Sequence, residues 1–156
     1  MISLRPANES DIDLILKWEN NPTNWSYSDT NEPYSRIEIE NLIEALGKAD
    51  SEQQRFMICA KNEKTPIGTL DIFEIDKAGR SASVGVLIES DENRRKGYAL
   101  FALSRLEELC DDYQIEKLNA SVHDWNMASL NLFKKAGYTE VGLEKDLVKF
   151  EKCLKK

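Results

Sequence analysis

Apolar residues near the start of the chain recur at the spacing of a helix. The run from Ile2 to Arg5 predicts a short strand that ends at Pro6. Ser10 has the chemistry of a helix cap, and the helix behind it is expected to end near residues 20–22. The apolar positions of that helix are Ile12, Ile15, Leu16 and Trp18. The pattern therefore predicts one strand followed by one amphipathic helix.

A capping box predicts where a second helix begins. Ser35 and Glu38 stand three residues apart, so the hydroxyl and the carboxylate can each satisfy a backbone amide. The apolar residues behind them keep helical spacing: Ile39, Leu42, Ile43 and Leu46. Gly47 is a helix stop signal, and the second helix is expected to end there.

Strand patterns replace helical spacing in the middle of the chain. Apolar runs at 55–60, 67–75 and 83–88 predict three strands, and the short turns between them indicate antiparallel pairing. A long helix follows Gly97, with core positions expected at Leu100, Phe101, Leu103, Leu106 and Leu109. The remaining predicted elements are a strand at 117–122, a helix at 127–136 that Gly137 ends, and strands at 138–143 and 147–154.

Composition narrows the range of partners. The chain has 156 residues, which is the length of one domain, with 28 Asp and Glu against 21 Lys and Arg and a net charge of -7. This acidic balance disfavours nucleic acid and anionic membranes and favours small cationic partners. The three cysteines and the single His123 have no zinc-binding spacing, so no metal is expected. The chain also lacks a secretory-type start and a membrane-length apolar run, and we expect it in the cytoplasm with free thiols.

Three adjacent cations form the most informative stretch. Arg94, Arg95 and Lys96 precede the predicted helix start at Gly97, where the helix dipole already places about half a positive charge. An anion would offset this charge, and helix amides beside a glycine suit a phosphate. Dinucleotide and nucleotide sites fit poorly, because the turn has neither the Gly-x-Gly-x-x-Gly nor the Walker spacing. The alternative is a solvated helix end.

Two motifs connect this stretch to a known family. The pattern Arg94-x-x-Gly97-x-Ala99 resembles the coenzyme A (CoA) pyrophosphate loop of the GCN5-related N-acetyltransferase (GNAT) superfamily. Downstream, Asn126 and Ser129, with an aromatic residue four positions later, resemble the second signature of that family. The resemblance implies one α+β domain along the whole chain. Its GNAT fold would have a mixed, mostly antiparallel sheet of about six to seven strands, flanked by about four helices.

The resemblance also implies where acetyl-CoA binds. In this superfamily the strand before the loop is splayed from its neighbour, and its backbone binds the pantetheine arm. The implied cofactor-binding residues are Val86, Leu87, Ile88, Arg94, Arg95, Lys96, Gly97, Tyr98, Ala99, Asn126, Ser129 and Phe133. Either Leu87 or Ile88 would donate an amide to the developing oxyanion. Asn126 has an alternative role as the cap of the helix that follows it.

The implied reaction is acetyl transfer to a primary amine, which is protonated near neutral pH and needs a base. The candidate carboxylates are Asp71, Glu74 and Glu89. Asp71 is preferred over Glu74, because a carboxylate among apolar neighbours must be used or paired. The alternative for Asp71 is an exposed position at the rim of the sheet.

The acid that protonates the departing thiolate is a point of difference. Many family members carry a tyrosine at the position of Phe133, and phenylalanine has no proton to donate. Tyr138, Tyr98 or water is the expected substitute. The difference also supports an alternative function, in which the protein is a non-catalytic or weakly catalytic module that binds acyl-CoA.

Within the superfamily the chain is most similar to the branch of bacterial spermidine acetyltransferases and ribosomal-protein N-terminal acetyltransferases. The segments that match are Ser3-Leu4-Arg5-Pro6, Glu32-Pro33-Tyr34 and the Asn126 signature. The resemblance implies that Asp29 and Glu32 bind the substrate, and the neighbouring aromatic residues Trp25, Tyr27 and Tyr34 are expected to help; a solvent-facing position is the alternative. Acidic groups beside aromatic rings suit a cationic amine, such as spermidine or a protein N-terminus. Ordinary packing is the alternative for the aromatic residues, and a homodimer is a further expectation.

Overall fold

The computed structural model of the protein describes residues 2–21, 33–46, 53–60, 65–88 and 97–154. Its strands are β1 (Ile2–Pro6), β2 (Gln54–Ala60), β3 (Pro66–Asp76), β4 (Ser81–Ile88), β5 (Lys117–His123), β6 (Thr139–Glu144) and β7 (Leu147–Cys153). Its helices are α1 (Ile12–Glu19), α2 (Arg36–Leu46), α3 (Tyr98–Cys110) and α4 (Met127–Lys135), with a 3-10 turn at Glu9–Asp11 before α1. No helix in these ranges has the length and apolarity that a membrane span requires.

The strands form one mixed sheet in the order β1-β2-β3-β4-β5-β7-β6. Every neighbouring pair is antiparallel except β4 and β5, which are parallel. The predicted class, a mostly antiparallel sheet flanked by helices, is confirmed. The antiparallel arrangement of the three middle strands is confirmed as well.

Alternation along the strands builds two apolar cores, one on each face of the sheet. On β2, Phe56 and Ile58 join the larger core, which α3 and α4 cover, while Met57 joins the smaller core beneath α1 and α2. From α3, Leu103 and Leu106 complete the larger core. The middle strands are therefore buried on both sides, which accounts for their nearly continuous apolar runs.

The start of α3 is more exposed than its sequence predicts. Leu100 and Phe101 were expected in the core, but they are 36% and 49% exposed. Phe101 stands two residues from Leu103, about 200° around the helix axis. Because Leu103 takes the buried face, Phe101 must point away from the sheet.

Helix ends follow local signals, with one correction. The predicted capping box is confirmed: the Glu38 amide donates to the Ser35 hydroxyl at 3.2 Å, and the Ser35 amide donates to the Glu38 carboxylate at 3.1 Å. The predicted cap at Ser10 is wrong, because the Asn8 side chain accepts from the Ser10 amide at 2.9 Å and caps the 3-10 turn that precedes α1. Gly137 follows α4 with a φ of 91°, as expected for a C-cap glycine.

The parallel contact between β4 and β5 is short. It joins Ser81–Ser83 to Lys117–Asn119 and goes no further. Beyond it, β4 continues along β3 to Ile88, and β5 continues along β7 to His123. The two strands therefore separate, and a gap opens in the middle of the sheet. One backbone edge of β4 faces this gap.

Candidate active site

A cleft of about 350 Å³ lies at the gap between β4 and β5. It is bounded by the end of β4, the start of α3 and one face of α4. The lining residues are Val86, Leu87, Ile88, Gly97, Ala99, Leu100, Ala128, Ser129, Asn131, Leu132 and Lys135. Most of these side chains are apolar, so the walls suit a long ligand arm that carries few charges.

The cleft brings together many of the residues singled out from the sequence. The predicted cofactor residues that line it are Val86, Leu87, Ile88, Gly97, Ala99 and Ser129. Sequence reasoning missed Leu100, Ala128, Asn131, Leu132 and Lys135. A signal was available on α4, where Ala128, Leu132 and Lys135 recur every three or four residues, on a different face from Leu130 and Phe133. This helix presents one face to the core and another to the cleft.

The start of α3 has the geometry of an anion-binding turn. Gly97 has a φ of 78°, in the left-handed region, and its carbonyl accepts from the Phe101 amide at 3.1 Å. Among the described residues no side chain caps this 13-residue helix, and its first turn holds no acidic residue. The positive end of α3 therefore faces the cleft, where it favours a phosphate. Arg94, Arg95 and Lys96 lie outside the described residues.

Asn126 caps α4. Its side-chain oxygen accepts from the Ser129 amide at 3.2 Å, and Asn126 itself is 9% exposed. The capping alternative is thus confirmed, and Asn126 is not among the residues that line the described cleft. The cap fixes the direction of α4, which in turn presents Ser129 to the cleft.

Tyr98, another predicted cofactor residue, is partly buried and packs against the larger core.

Phe133 belongs to the larger core. Its ring is 4% exposed, meets the Tyr138 ring edge-on with 5.0 Å between centroids, and stacks on Phe150 at 6.0 Å. Phe133 follows Leu130 by three residues, so both lie on the buried face of α4. The cofactor contact predicted for Phe133 is not supported, because its side chain is outside the lining of the described cleft.

The surroundings of Tyr138 do not suit the acid that was expected of it in place of Phe133. It is 5% exposed, and its hydroxyl has no hydrogen-bond partner within the described residues. Burial, reinforced by the charges of Glu107 and Cys110, raises the pKa of Tyr138 well above its usual value. Glu107, whose charge acts on Tyr138, lies on α3 two turns beyond Ala99, which lines the cleft. This distance is about 12 Å along the helix axis. The burial of Tyr138 therefore does not support its predicted role as a catalytic acid.

Asp71 is engaged in an ion pair on the α1 and α2 side of the sheet. Arg55, on the adjacent strand β2, donates from Nε to one carboxylate oxygen at 2.7 Å and from Nη2 to the other at 2.9 Å. Nη1 of Arg55 also donates to Glu19, at the end of α1, at 3.2 Å. Burial alone would lower the pKa of Arg55, but the two carboxylates outweigh burial and hold that pKa above its usual value.

This pairing accounts for Asp71 without a catalytic role. Both carboxylate oxygens accept from a guanidinium, and arginine is not deprotonated in proteins. Asp71 thus satisfies the expectation that a carboxylate among apolar neighbours is paired, and its predicted role as the base is not supported. Glu89, another candidate base, lies outside the described residues.

Of the predicted substrate residues, the structure describes Tyr34 alone. Its amide donates to the Asn20 side-chain oxygen at 2.6 Å, and its carbonyl accepts from the Asn20 nitrogen at 2.9 Å. The Tyr34 side chain packs against the smaller core, as in the packing alternative. The other predicted substrate residues lie outside the described ranges: Trp25, Tyr27, Asp29 and Glu32.

Comparison with known sequences identifies the family. A sequence profile of the acetyltransferase (GNAT) domain matches residues 2–139, which is most of the chain. The chain belongs to the GNAT family. It is an acetyl-CoA-dependent acetyltransferase, as the members of this family are. No curated protein matches the chain in sequence.

Solved structures share the fold along nearly the whole chain. The spermidine N-acetyltransferase from Vibrio cholerae, in complex with CoA and spermine, is 25% identical, with a TM-score of 0.86 over 98% of this chain and 95% of that chain. A dodecameric structure of that enzyme in an intermediate state gives 23% identity, a TM-score of 0.79 and coverage of 98% and 94%. A domain from Methanocaldococcus jannaschii is 16% identical to this chain, with a TM-score of 0.81 and coverage of 98% of both chains. The latter two show the fold alone, and all three agree with the predicted GNAT architecture.

Proposed function

We propose that this GNAT enzyme acetylates a primary amine of a small cationic molecule, with a polyamine such as spermidine as the leading class. The observation that carries the proposal is the cleft at the separation of β4 and β5. It combines an exposed strand edge, apolar walls and the positive end of a helix. These features match acetyl-CoA, whose amide-containing arm suits a strand edge and whose diphosphate suits a helix N-terminus.

The lining residues fit CoA in its separate parts. The β4 edge at Val86 can hydrogen-bond to pantetheine amides, as an added strand would. Leu132 supplies apolar contact for the arm. Gly97 and the α3 amides suit the diphosphate, and Lys135 adds a cation within the cleft. From the sequence, Arg94, Arg95 and Lys96 are proposed to contribute further positive charge beside the same helix start.

Acetyl transfer then requires three proton movements. An ammonium group first loses a proton to a base, so that the amine nitrogen can attack the carbonyl carbon of the thioester. A carbon–nitrogen bond forms, the carbon–sulfur bond breaks, the nitrogen releases its second proton to water, and the CoA thiolate takes a proton from water. A thiol pKa of about 8.5 makes the thiolate an adequate leaving group without a dedicated acid. Glu89 remains the proposed base.

Three features favour a cationic acceptor. The net charge of -7 attracts small cations from a distance. The segment with Asp29 and Glu32 is acidic and aromatic, a combination that binds amines through charge and cation–π contact. The V. cholerae relative at 25% identity was crystallised with spermine. The homodimer expected from the sequence stays a prediction.

Thiol release provides the direct test. Protein and acetyl-CoA are mixed with spermidine, spermine, single amino acids, aminoglycosides or N-terminal peptides, and free CoA is followed with a thiol reagent. We expect release that depends on the polyamine and exceeds release with the other amines. Release with peptides alone would redirect the proposal to protein N-termini.

The alternative is a weakly catalytic module that binds acyl-CoA, and one observation favours it. Phe133 has no proton to donate and Tyr138 is buried in the core, so neither acts as an acid in the cleft. That alternative predicts thermal stabilisation by CoA with thiol release that stays close to the amine-free rate across the panel. Fast release with any amine would exclude it, and a lack of stabilisation by CoA would exclude both functions.

Lys135 offers a test of whether CoA binds in the cleft. Reversing its charge (Lys135→Glu) removes a cation from the cleft and should weaken CoA binding about tenfold, since a hydrogen bond to a charged group contributes about 1.5–3 kcal/mol. The matched control is Lys134→Glu, which makes the same charge change on an exposed neighbour outside the cleft lining. Calorimetry at low ionic strength measures both dissociation constants. Equal losses in the two variants would show that only the long-range charge matters.

A further inference from the structure

Phe101 stands beside the turn that begins α3. A Cβ atom added to Gly97 would lie 3.9 Å from the Phe101 ring carbon Cε2, so the ring reaches back toward this turn. Side chains on a helix lean toward its N-terminus, which accounts for that direction. The ring is 49% exposed, whereas Ala102 and Leu103, the next two residues of α3, are fully buried. Phe101 therefore presents an aromatic surface to solvent at the start of α3.

The cleft passes next to this ring. Gly97, Ala99 and Leu100 line the described cleft, whereas Phe101 is not among its lining residues. Phe101 follows Leu100 by one residue, which is about 100° around the helix axis. Its ring thus lies beside the cleft and outside its wall. A ligand that fills the cleft and continues past Gly97 would meet the ring.

The starts of the two helices at the cleft differ in their capacity for a diphosphate. On α4 the Ser129 amide already donates to the Asn126 side chain at 3.2 Å. On α3 no side chain from the described part of the chain forms such a cap. An uncapped helix start offers more amides to an anion than a capped one. The diphosphate of CoA is therefore expected at Gly97, on α3.

We propose that Phe101 binds the adenine ring of acetyl-CoA by stacking against it. The inference rests on the proposed function, because it takes the diphosphate to lie at Gly97. In CoA a single ribose joins the diphosphate to adenine, so the base comes within reach of a ring beside Gly97. Stacking requires only two flat faces, and every base offers one. The contact also gives a physical reason for the exposure of Phe101, which the hydrophobic pattern assigned to the core.

Shortening the side chain and shortening the ligand test this contact from both sides. Phe101→Ala should weaken CoA binding about tenfold, a loss within the range that base–aromatic stacking contributes. It should leave unchanged the affinity for 4′-phosphopantetheine, which keeps the arm and one phosphate but has no adenine. Phe101→Tyr, which retains a ring, should bind CoA as the wild type does. Calorimetry measures each dissociation constant, and circular dichroism measures the melting temperature. A residue that only stabilises α3 would lower both affinities together with the melting temperature.

Trp125 provides the matched control. Its ring is also exposed, by 53%, but it precedes α4, where it stacks on His123 with 5.3 Å between the ring centroids. Trp125→Ala should keep the wild-type affinities for CoA and for 4′-phosphopantetheine. A loss of CoA affinity in Trp125→Ala but not in Phe101→Ala would overturn the proposal and place adenine at α4. Wild-type affinity for CoA in a folded Phe101→Ala protein would overturn it as well.

A measurement on the unaltered protein covers the case in which Phe101→Ala does not fold. An adenine stacked on the Phe101 ring shields the ring protons, so their NMR signals should move upfield with CoA. The same signals should stay nearly unchanged with 4′-phosphopantetheine. Signals that do not distinguish the two ligands would overturn the role of Phe101 while leaving the cofactor site intact. Failure of the wild type to bind CoA would instead overturn the proposed function.

Discussion

Replacing Asp71 with asparagine is expected to lower the free energy of unfolding by about 3 kcal/mol, the low end of what removing one partner of a buried ion pair costs. Arg55 is buried with its side chain 9% exposed, and it would keep its charge after losing the bidentate partner. Glu19 remains beside it at 3.2 Å, so the loss is only partial. Urea denaturation of the wild type and the variant measures the difference.

An exposed ion pair serves as the control for Asp71. Asp13 pairs with Arg36 on the surface, with side chains 84% and 52% exposed. Asp13→Asn should leave the unfolding curve nearly unchanged, since solvent screens such pairs. If Asp71→Asn instead left the stability unaltered, lowered kcat and shifted the pH–rate profile, Asp71 would regain its predicted role as the base.

Filling the cleft from α4 is expected to remove most of the affinity for acetyl-CoA. Ala128→Trp places an indole against the wall formed by Leu132 and Ile88. Overfilling a packed space costs about 1–3 kcal/mol, so binding should weaken by roughly 10- to 100-fold. Calorimetry with acetyl-CoA measures the loss, and the melting temperature shows whether the fold is retained.

Met127 provides the matched control for this experiment. It is adjacent to Ala128 on the same helix, is 60% exposed and is not among the described lining residues. Met127→Trp adds a similar indole outside the cleft and should bind acetyl-CoA as the wild type does. Undiminished binding by Ala128→Trp, with the fold intact, would mean that acetyl-CoA binds elsewhere.

Local signals in the sequence were sufficient where a short segment decides its own structure. The hydroxyl of Ser35 and the carboxylate of Glu38 form the predicted capping box, and Gly137 takes the left-handed φ expected after α4. Each of these outcomes depends on contacts within a few residues. The resemblance to the GNAT family added the order of elements and the position of the cleft along β4.

Pairings between distant segments could not be predicted from the sequence. Asp71 meets Arg55 because β2 and β3 pair in a register that places these two residues opposite each other. That register depends on how the intervening turn is built, so the sequence indicated only that Asp71 must be used or paired. The structure shows that Asp71 is paired with Arg55, which does not support Asp71 as the base.

The two faces of α4 explain why the sequence placed Phe133 at the cofactor, and burial explains why Tyr138 does not fit its predicted role. Apolar residues on this helix form one stripe toward the core and another toward the cleft, and spacing alone does not say which stripe meets the ligand. The motif placed Phe133 with the cofactor, whereas its stacking on Phe150 places it in the core. Tyr138 was selected for its chemistry, but acidity depends on burial, which becomes known only with the packing.

The brevity of the ladder between β4 and β5 has a consequence for how the chain folds. Strands β1 to β4 come from residues 2–88 and pair with their neighbours in sequence, while β5 to β7 come from residues 117–153. The pairs β2–β3, β3–β4 and β6–β7 each join strands that follow one another closely in the chain, which is the faster kind of step. The junction of the two halves joins segments that lie further apart in the chain than these, so we expect it to form later, and it is this junction of three residue pairs that leaves the cleft open.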